Sequence, residues 1–359
     1  MPRKLETAAS KTAGVHRKLP RPTLPSPPTG SPIGWIHSVP DGFFPPSNLD
    51  KYGVVVTENP ITNAAFRGVQ LTYRTAITCQ PAGSTNISQD RCLAAGYQMY
   101  STTGQVMVNS SYQPSVLADP GLPAYQAEWC QAALTKAQQN GAEGMWIDDS
   151  NPRIYTISGG VMPQKYPTNA LYEEAMLSFA QYVYNFFNSR GMKTGYNSGI
   201  AADDNAAAMK AWWPRLGPRA HYLSEEYWLT PNNAYLRLAG SSTWYNYWDE
   251  HRDLHRVCQQ AGCGFIPNTD GSPDSRAQNY TLGTFMLDWD GTAKDGSNLF
   301  AINGYSTADP WNSYYTQAIA LGAPTGPAVQ TANNVWVRPF VNGSLTVNSG
   351  NGTTSISGV

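Results

Sequence analysis

The sequence predicts an α/β protein built as a (β/α)8 TIM barrel, with an extended arm before it and a β-hairpin after it. Apolar runs rich in β-branched and aromatic residues alternate with helical stretches between residues 34 and 321, an order that favours a parallel sheet. The number of these runs approaches the eight strands of a TIM barrel. After Pro324 the apolar pattern changes to period two. We therefore expect an arm over residues 1–32, a barrel over 33–323 and a hairpin with its tail over 324–359.

An open, doubly wound sheet is the alternative fold for the same alternation. Such a sheet commonly binds phosphates through a glycine-rich turn, G-x-G-x-x-G or G-x-x-x-x-G-K-[ST], after an early strand. Neither pattern follows the early strands of this sequence. The barrel is therefore the preferred prediction, and a nucleotide-dependent enzyme is the least favoured function.

The arm has the composition of an extended chain. Residues 1–32 hold six Lys or Arg against one Glu, and a cluster of prolines runs from Pro20 to Pro28 without a periodic apolar pattern. Such a segment is either a disordered leader or a strap that becomes ordered on docking to a larger assembly. The basic start lacks the apolar core of a secretory signal.

The individual elements follow from local patterns. Thr168 can act as the N-cap of the clearest helix, in which apolar residues recur at helical spacing, and Gly191 ends this helix. Residues 76–123 are long, rich in Gly and Ser, and irregular, as functional insertions often are. Strands are expected at 51–57, 67–73, 96–100, 144–148, 193–196, 221–225, 264–267 and 300–303, and helices at 124–140, 205–213, 234–260, from 275 and at 311–321. The final hairpin, within 335–348, has Asn342-Gly343 as a type I′ turn signal.

Composition excludes several classes of function. The net charge of −1 and the charged fraction of 14% give no footprint for nucleic acid. No apolar run approaches the roughly twenty residues that cross a bilayer, so we expect a soluble protein without membrane insertion. The 21 Tyr and 11 Trp suit sugar rings, although aromatic residues also fill cores.

The cysteines and histidines give little support for a metal. The five cysteines are an odd number, and the pairs Cys79 with Cys92 and Cys258 with Cys263 are close enough in sequence for local disulfides. His251 and His255 are four residues apart, but the Glu of a zinc-protease helix is absent between them. We expect neither a metal nor another cofactor.

Two pairs of acids follow short apolar runs. Asp148-Asp149 ends the run that starts at Gly144, and Glu225-Glu226 ends the run that starts at Tyr222. An Asp at such a position can simply cap a turn. On a barrel, however, the strand ends converge on one face, and two carboxylates across a bound sugar are the minimum for glycoside hydrolysis.

Strand alternation directs only one acid of each pair towards the centre. We expect Asp148 and Glu225 to point inward as the catalytic pair, although the registers could be reversed. The expected substrate-binding residues, which stack on or hydrogen-bond the saccharide, are Tyr73, Arg74, Trp146, Asp149, Tyr196, Asn197, Glu226, Tyr227, Trp228 and Asp270.

Taken together, several segments resemble a family of glycoside hydrolases with TIM barrels, loosely related to polygalactosaminidase-like enzymes. The segments are Gly144 to Asp149, Tyr166-Pro167-Thr168, Arg190 to Gly199, Ser224-Glu225-Glu226 and the closing strand pair Val335 to Asn348. The resemblance covers residues 50–349 and implies that Asp148 and Glu225 are the acids of the fourth and sixth strands. The chain departs from the pattern with Glu143-Gly144 in place of Asp-Gly, and in lacking a secretion signal.

The missing signal leads to a prediction about context. A virion protein released by host lysis meets a polysaccharide without secretion, and the arm and aromatic content are similar to those of a bacteriophage minor tail protein. We therefore expect a glycosidase acting on a bacterial surface or envelope polysaccharide, localised in the virion tail, with residues 1–32 contacting other tail proteins. The alternative is an inactive carbohydrate-binding or structural barrel within a tail assembly.

Overall fold

The computed structural model describes residues 33–36, 51–61, 66, 68–81, 87–111, 114–199, 206–226, 228–230, 236–240, 248–268, 275–291, 297–298 and 311–359. For residues 34–36, 155–156, 206–207 and 297–298 it describes the backbone alone. The predicted arm, the predicted strand at 300–303 and two predicted site residues, Tyr227 and Asp270, lie outside the described residues.

Strands and helices alternate along the described chain, which confirms the α/β class. The strands are β1 (Ile33–Ile36), β2 (Val54–Thr57), β3 (Val69–Thr75), β4 (Thr78–Cys79), β5 (Val116–Leu117), β6 (Gly144–Asp148), β7 (Lys193–Asn197), β8 (Tyr222–Ser224), β9 (Gly264–Phe265), β10 (Ser297–Asn298), β11 (Val329–Ala332), β12 (Val335–Phe340), β13 (Gly343–Asn348) and β14 (Thr353–Ser357). The helices are α1 (Gln89–Ala94), α2 (Pro123–Asn140), α3 (Tyr155–Ser158), α4 (Asn169–Asn188), α5 (Ala206–Leu216), α6 (Trp248–Ala261), α7 (Ser275–Asp288) and α8 (Ser313–Ala320).

The prediction of a closed TIM barrel is wrong. The parallel strands form one curled sheet in the order β10-β1-β2-β3-β6-β7-β8-β9, and no ladder joins β9 to β10 within the described part of the chain. Closure requires every strand to pair on both sides with a fixed stagger. The strands at the two edges, β9 and β10, are only two residues long, and the sheet remains open between them.

The two faces of the sheet are both apolar. On the inner face Val54, Leu71, Trp146, Tyr222 and Ile266 pack together, with Tyr73 at the margin of the cluster. On the outer face Val55, Ile147, Tyr196, Leu223 and Phe265 pack against the helices. This double burial is typical of parallel strands covered on both sides.

The helices largely follow the prediction. Thr168 caps α4 by accepting a hydrogen bond from the backbone N–H of Leu171 at 3.4 Å. The helix expected over 234–260 is shorter than predicted, because 236–240 is not helical and α6 begins only at Trp248. The strand expected near 96–100 is reduced to isolated bridges at Gln98 and Tyr100.

The C-terminal hairpin, β12 and β13, is part of a four-stranded antiparallel sheet in the order β11-β12-β13-β14. The predicted type I′ turn at Asn342-Gly343 is wrong. Phe340 pairs with Gly343, so that Val341 and Asn342 form the loop, and neither has the positive φ that a type I′ turn requires. The sheet packs on α7, where a Cβ at Gly283 would lie 2.7 Å from Cγ2 of Thr354.

All five cysteines are buried free thiols, so the local disulfides that their spacing allowed are not formed. Among the described helices, none is both long and apolar enough to cross a membrane.

Candidate active site

Four polar side chains meet at the carboxyl end of the curled sheet, three of them on the neighbouring strands β3, β6 and β7 and the fourth, Glu226, just after β8. The Tyr73 phenol donates a hydrogen bond to Oδ2 of Asp148. The Asn197 amide nitrogen donates both to Oδ1 of Asp148, at 2.9 Å, and to Oε2 of Glu226, at 3.0 Å. All four side chains are only partly buried, so the cluster can be reached from solvent.

A tightly packed layer supports this cluster from below. Trp146 pairs in register with Gly195, and Gly195 pairs with Tyr222. A Cβ at Gly195 would lie 2.5 Å from Cε3 of the Trp146 indole, so the glycine makes room for the ring. Trp146, predicted to contact the saccharide, is 2% exposed and forms the floor of the site.

Because side chains alternate along a strand, the residue two positions after each floor residue faces the same way. Asp148 follows Trp146 on β6, and Asn197 follows Gly195 on β7. On β8, Ser224 follows Tyr222 and is the register partner of Asn197. Glu226 lies in the turn two residues beyond Ser224, and its hydrogen bond with Asn197 brings it, rather than Glu225, to the cluster.

The expected orientation of the second acid pair is therefore wrong. Glu225 lies on the outer face, 3% exposed, with Oε2 at 2.9 Å from Nδ1 of His251. Nη2 of the fully buried Arg237 lies 3.9 Å from Oε1 of Glu225. Glu225 is thus the centre of a buried charged cluster behind the sheet, and it does not contact Asp148.

The first acid pair is also divided. Asp149 adopts a left-handed backbone conformation with φ of 53°, and Oδ2 accepts a hydrogen bond from the Thr78 hydroxyl at 3.0 Å. Burial, and next the charge of Asp148, raise the pKa of Asp149 from its ordinary value to about 7. Asp149 therefore lies beside the cluster but is held by the segment that follows β3.

Tyr73 remains a hydrogen-bond donor over the ordinary pH range. Burial, followed by the charges of Asp148 and Asp149, raises the pKa of this phenol well above its usual value. A neutral phenol can donate its O–H to Oδ2 of Asp148 without adding charge to the cluster.

Three of the predicted substrate-binding residues lie behind the sheet. Arg74 is 3% exposed and donates from Nη1 to the Tyr73 carbonyl at 2.8 Å. The Tyr196 hydroxyl donates to the carbonyl of Ala180 in α4, and Trp228 donates from Nε1 to the carbonyl of His251. These side chains pack the outer layer and do not reach the cluster.

Sequence reasoning overlooked Thr78 and Ser224, which adjoin the site. Ser224 is 1% exposed, and its Oγ has no hydrogen-bond partner among the residues that the structure describes. Ser224 lies two residues after Tyr222, and this spacing could have placed it on the same face of β8. The residues before it on β8 are apolar, however, so the sequence does not show which face is which. Thr78 comes from β4 after a turn, and no pattern in the sequence indicates that contact.

No group of three His, Cys, Asp or Glu side chains suited to a metal occurs among the described residues. The chemistry available within the cluster is that of two carboxylates, one phenol and one amide, which is acid–base or nucleophilic chemistry.

Solved structures with a similar fold were found for much of the chain. A noncanonic maltogenic α-amylase from Thermotoga neapolitana matches over 88% of this chain and 85% of its own, with 8% identity and a TM-score of 0.50. A cycloalternan-degrading enzyme from Trueperella pyogenes matches over 80% of this chain, with 9% identity and a TM-score of 0.46. This chain spans only 45% of the length of that enzyme.

None of the curated proteins compared with the sequence matches it. The profile of hypothetical glycosyl hydrolase family 15, by contrast, matches residues 97–344. This range is more than half of the 359 residues and contains Asp148, Asn197 and Glu226. The chain therefore belongs to hypothetical glycosyl hydrolase family 15.

Proposed function

We propose that the protein is a glycoside hydrolase whose carboxylate pair is Asp148 and Glu226. The observation that carries this proposal is the amide of Asn197, which donates to both carboxylates at 2.9 and 3.0 Å. One nitrogen thus fixes two acids on the open end of the sheet. Family membership supports the reaction class, since glycosidases act through such a pair.

The alternative pair, Asp148 with Glu225, has less support. Glu225 lies behind the sheet with His251 and Arg237, and its side chain is 3% exposed. A carboxylate in that position would have to leave two buried partners before it could reach a sugar. The cost of leaving a buried charge without its partner is several kcal/mol, so the role of Glu225 is structural.

The polymer that we propose as substrate is a bacterial surface or envelope polysaccharide. The 21 Tyr and 11 Trp of the chain suit the apolar faces of sugars. We also keep the proposal that the protein is a bacteriophage tail component, which the basic, proline-rich composition of residues 1–32 supports. In that setting the arm contacts other tail proteins.

The test is release of reducing ends from a panel of purified bacterial surface polysaccharides. We expect release by the wild-type chain and loss of release in Asp148→Asn, with Asp149→Asn as the matched control that retains it. Release by Asp148→Asn equal to wild type would refute the proposed site. If the wild-type chain and both variants bind a saccharide but release no reducing ends, the result would favour an inactive carbohydrate-binding protein.

A further inference from the structure

We infer that this site hydrolyses its substrate with retention of anomeric configuration, through a glycosyl ester on Asp148, with Glu226 as the acid and base. The inference rests on the proposed function and adds the stereochemical outcome and the role of each carboxylate. It is carried by the spacing of the two acids and by the two hydrogen bonds that hold Asp148.

The spacing follows from the geometry of one amide group. The two hydrogens of an amide nitrogen diverge by about 120°, so two acceptors that each take one of them lie about 5 Å apart at the observed bond lengths of 2.9 and 3.0 Å. Retaining glycosidases place their carboxyl groups about 5 to 5.5 Å apart, whereas inverting enzymes need about 6.5 to 9.5 Å to admit a water. The separation at Asn197 fits retention.

Asn197 maintains this spacing, because its amide nitrogen bonds both carboxylates at once. Asn197 is therefore a positioning residue. It holds the two carboxylates at the separation that lets one of them attack the anomeric carbon directly.

The donors around each acid assign the roles. Asp148 accepts one hydrogen bond on each oxygen, from Asn197 on Oδ1 and from Tyr73 on Oδ2. These two bonds hold both oxygens of Asp148 in place, which orients this carboxylate for attack as the nucleophile. Glu226, the other carboxylate bound by Asn197, is assigned as the acid that exchanges a proton.

In the first step, a carboxylate oxygen of Asp148 attacks the anomeric carbon and forms an ester bond. The glycosidic C–O bond breaks, its electron pair passes to the leaving oxygen, and that oxygen takes the proton of the Glu226 carboxyl group. In the second step, Glu226 takes a proton from water while the water oxygen attacks the anomeric carbon. The ester C–O bond breaks, Asp148 leaves as a carboxylate, and Glu226 is protonated again.

The first experiment follows the anomeric configuration of the product by ¹H NMR during early hydrolysis of a substrate identified by reducing-end release. We expect the first reducing end to have the configuration of the bond that was cleaved. Formation of the opposite anomer would overturn the inference and leave the proposed hydrolase standing. Absence of hydrolysis on the whole panel would overturn the proposed function and this inference with it.

Azide rescue then tests the two roles with an activated aryl glycoside of the same sugar. In Asp148→Gly, azide should attack in place of the carboxylate and give the glycosyl azide of inverted configuration. In Glu226→Gly, azide should attack the ester on Asp148 and give the retained configuration. We expect at least tenfold rescue in both, and no glycosyl azide from the matched control Glu225→Gln. The reverse stereochemistry in the two variants would exchange the roles and overturn the assignment.

Discussion

The two acid pairs of this protein, Asp148-Asp149 at the end of β6 and Glu225-Glu226 after β8, have similar sequences but opposite arrangements in space. The first acid of one pair and the second acid of the other reach the cluster. In the first pair the first acid faces the open cluster, and the second is held by Thr78. In the second pair the first acid is buried with His251, and the second shares Asn197 with Asp148. Each pair therefore separates into one carboxylate at the cluster and one that is held by other partners, Thr78 for Asp149 and His251 for Glu225.

The difference teaches that the role of an acid in such a pair depends on the phase of its strand and not on its order in the motif. On β6 the inner phase is set by Trp146, two residues before Asp148. Glu226 lies two residues after the last residue of β8, Ser224, and its bond with Asn197 places it at the cluster. Variants of the four acids test this difference. Changes to one member of each pair should lower activity, and changes to the other should alter stability.

The largest expected effect is on activity in Asp148→Asn. The variant retains size and hydrogen-bonding capacity but removes the nucleophile, so we expect kcat/KM to fall by about a thousandfold or more. The measurement is initial-rate kinetics on the released saccharide, with thermal unfolding to show that the fold is intact. Activity within tenfold of wild type would remove Asp148 from the mechanism.

Glu225→Ala should act on stability instead. Removing this carboxylate leaves His251 and Arg237 buried without their acid, and breaking a buried charge cluster in this way costs about 3 to 5 kcal/mol. Urea unfolding measures the loss. The folded fraction should keep its activity, and an unfolding free energy equal to that of wild type would contradict the structural role.

Asp149→Asn should change how stability depends on pH. The pKa of Asp149 is raised to about 7, so between about pH 4 and pH 7 the native state holds a proton that the unfolded state has lost. The stability that this proton contributes is fully present below pH 4 and is lost as the pH rises through 7.

The Asn variant lacks this titration. Relative to wild type, it should gain about 1 to 4 kcal/mol in unfolding free energy between pH 4 and pH 8, and the lower values apply if water reaches the partly exposed group. Unfolding curves at four pH values would check this. Parallel pH profiles for the two proteins would show that Asp149 does not titrate in this range.

The smallest expected effect is in Tyr73→Phe. The variant removes the phenol that donates to Asp148 but keeps the ring in place, so we expect about a tenfold fall in kcat with KM nearly unchanged. Steady-state kinetics separates the two constants. A change confined to KM would indicate that Tyr73 binds substrate rather than positioning Asp148.

Local elements could be predicted well from the sequence. The helix capped by Thr168 has clear start and stop signals, and the run from Gly144 to Asp148 is bounded by glycine and by acids. These signals are short-range, so they survive without knowledge of the tertiary structure. The α/β class follows from them because strand and helix alternate.

The inward direction of each acid could not be predicted, because the strands are apolar on both faces. Met145, Trp146 and Ile147 are all buried, so no polar residue marks the phase of β6. For the same reason Tyr196 and Trp228 were indistinguishable from aromatic residues that contact a ligand. Closure of the sheet was equally hidden, since it depends on tertiary pairing between β9 and β10 that no local sequence pattern reports.

The C-terminal turn shows the limit of a dipeptide signal. Asn342-Gly343 has the composition of a type I′ turn, but the ladder between β12 and β13 places Gly343 opposite Phe340. The register of six residue pairs therefore shifts the loop by one residue, from Asn342-Gly343 to Val341-Asn342, against the local preference of the dipeptide.

The most direct test compares Glu225→Gln with Glu226→Gln in one experiment, measuring kcat/KM and thermal unfolding for both. The two changes are chemically identical and adjacent in sequence. We predict that Glu226→Gln loses about a hundredfold or more of kcat/KM at wild-type stability, whereas Glu225→Gln unfolds at a lower temperature and remains active. A fully folded but inactive Glu225→Gln beside an active Glu226→Gln would contradict the assignment of the carboxylate pair.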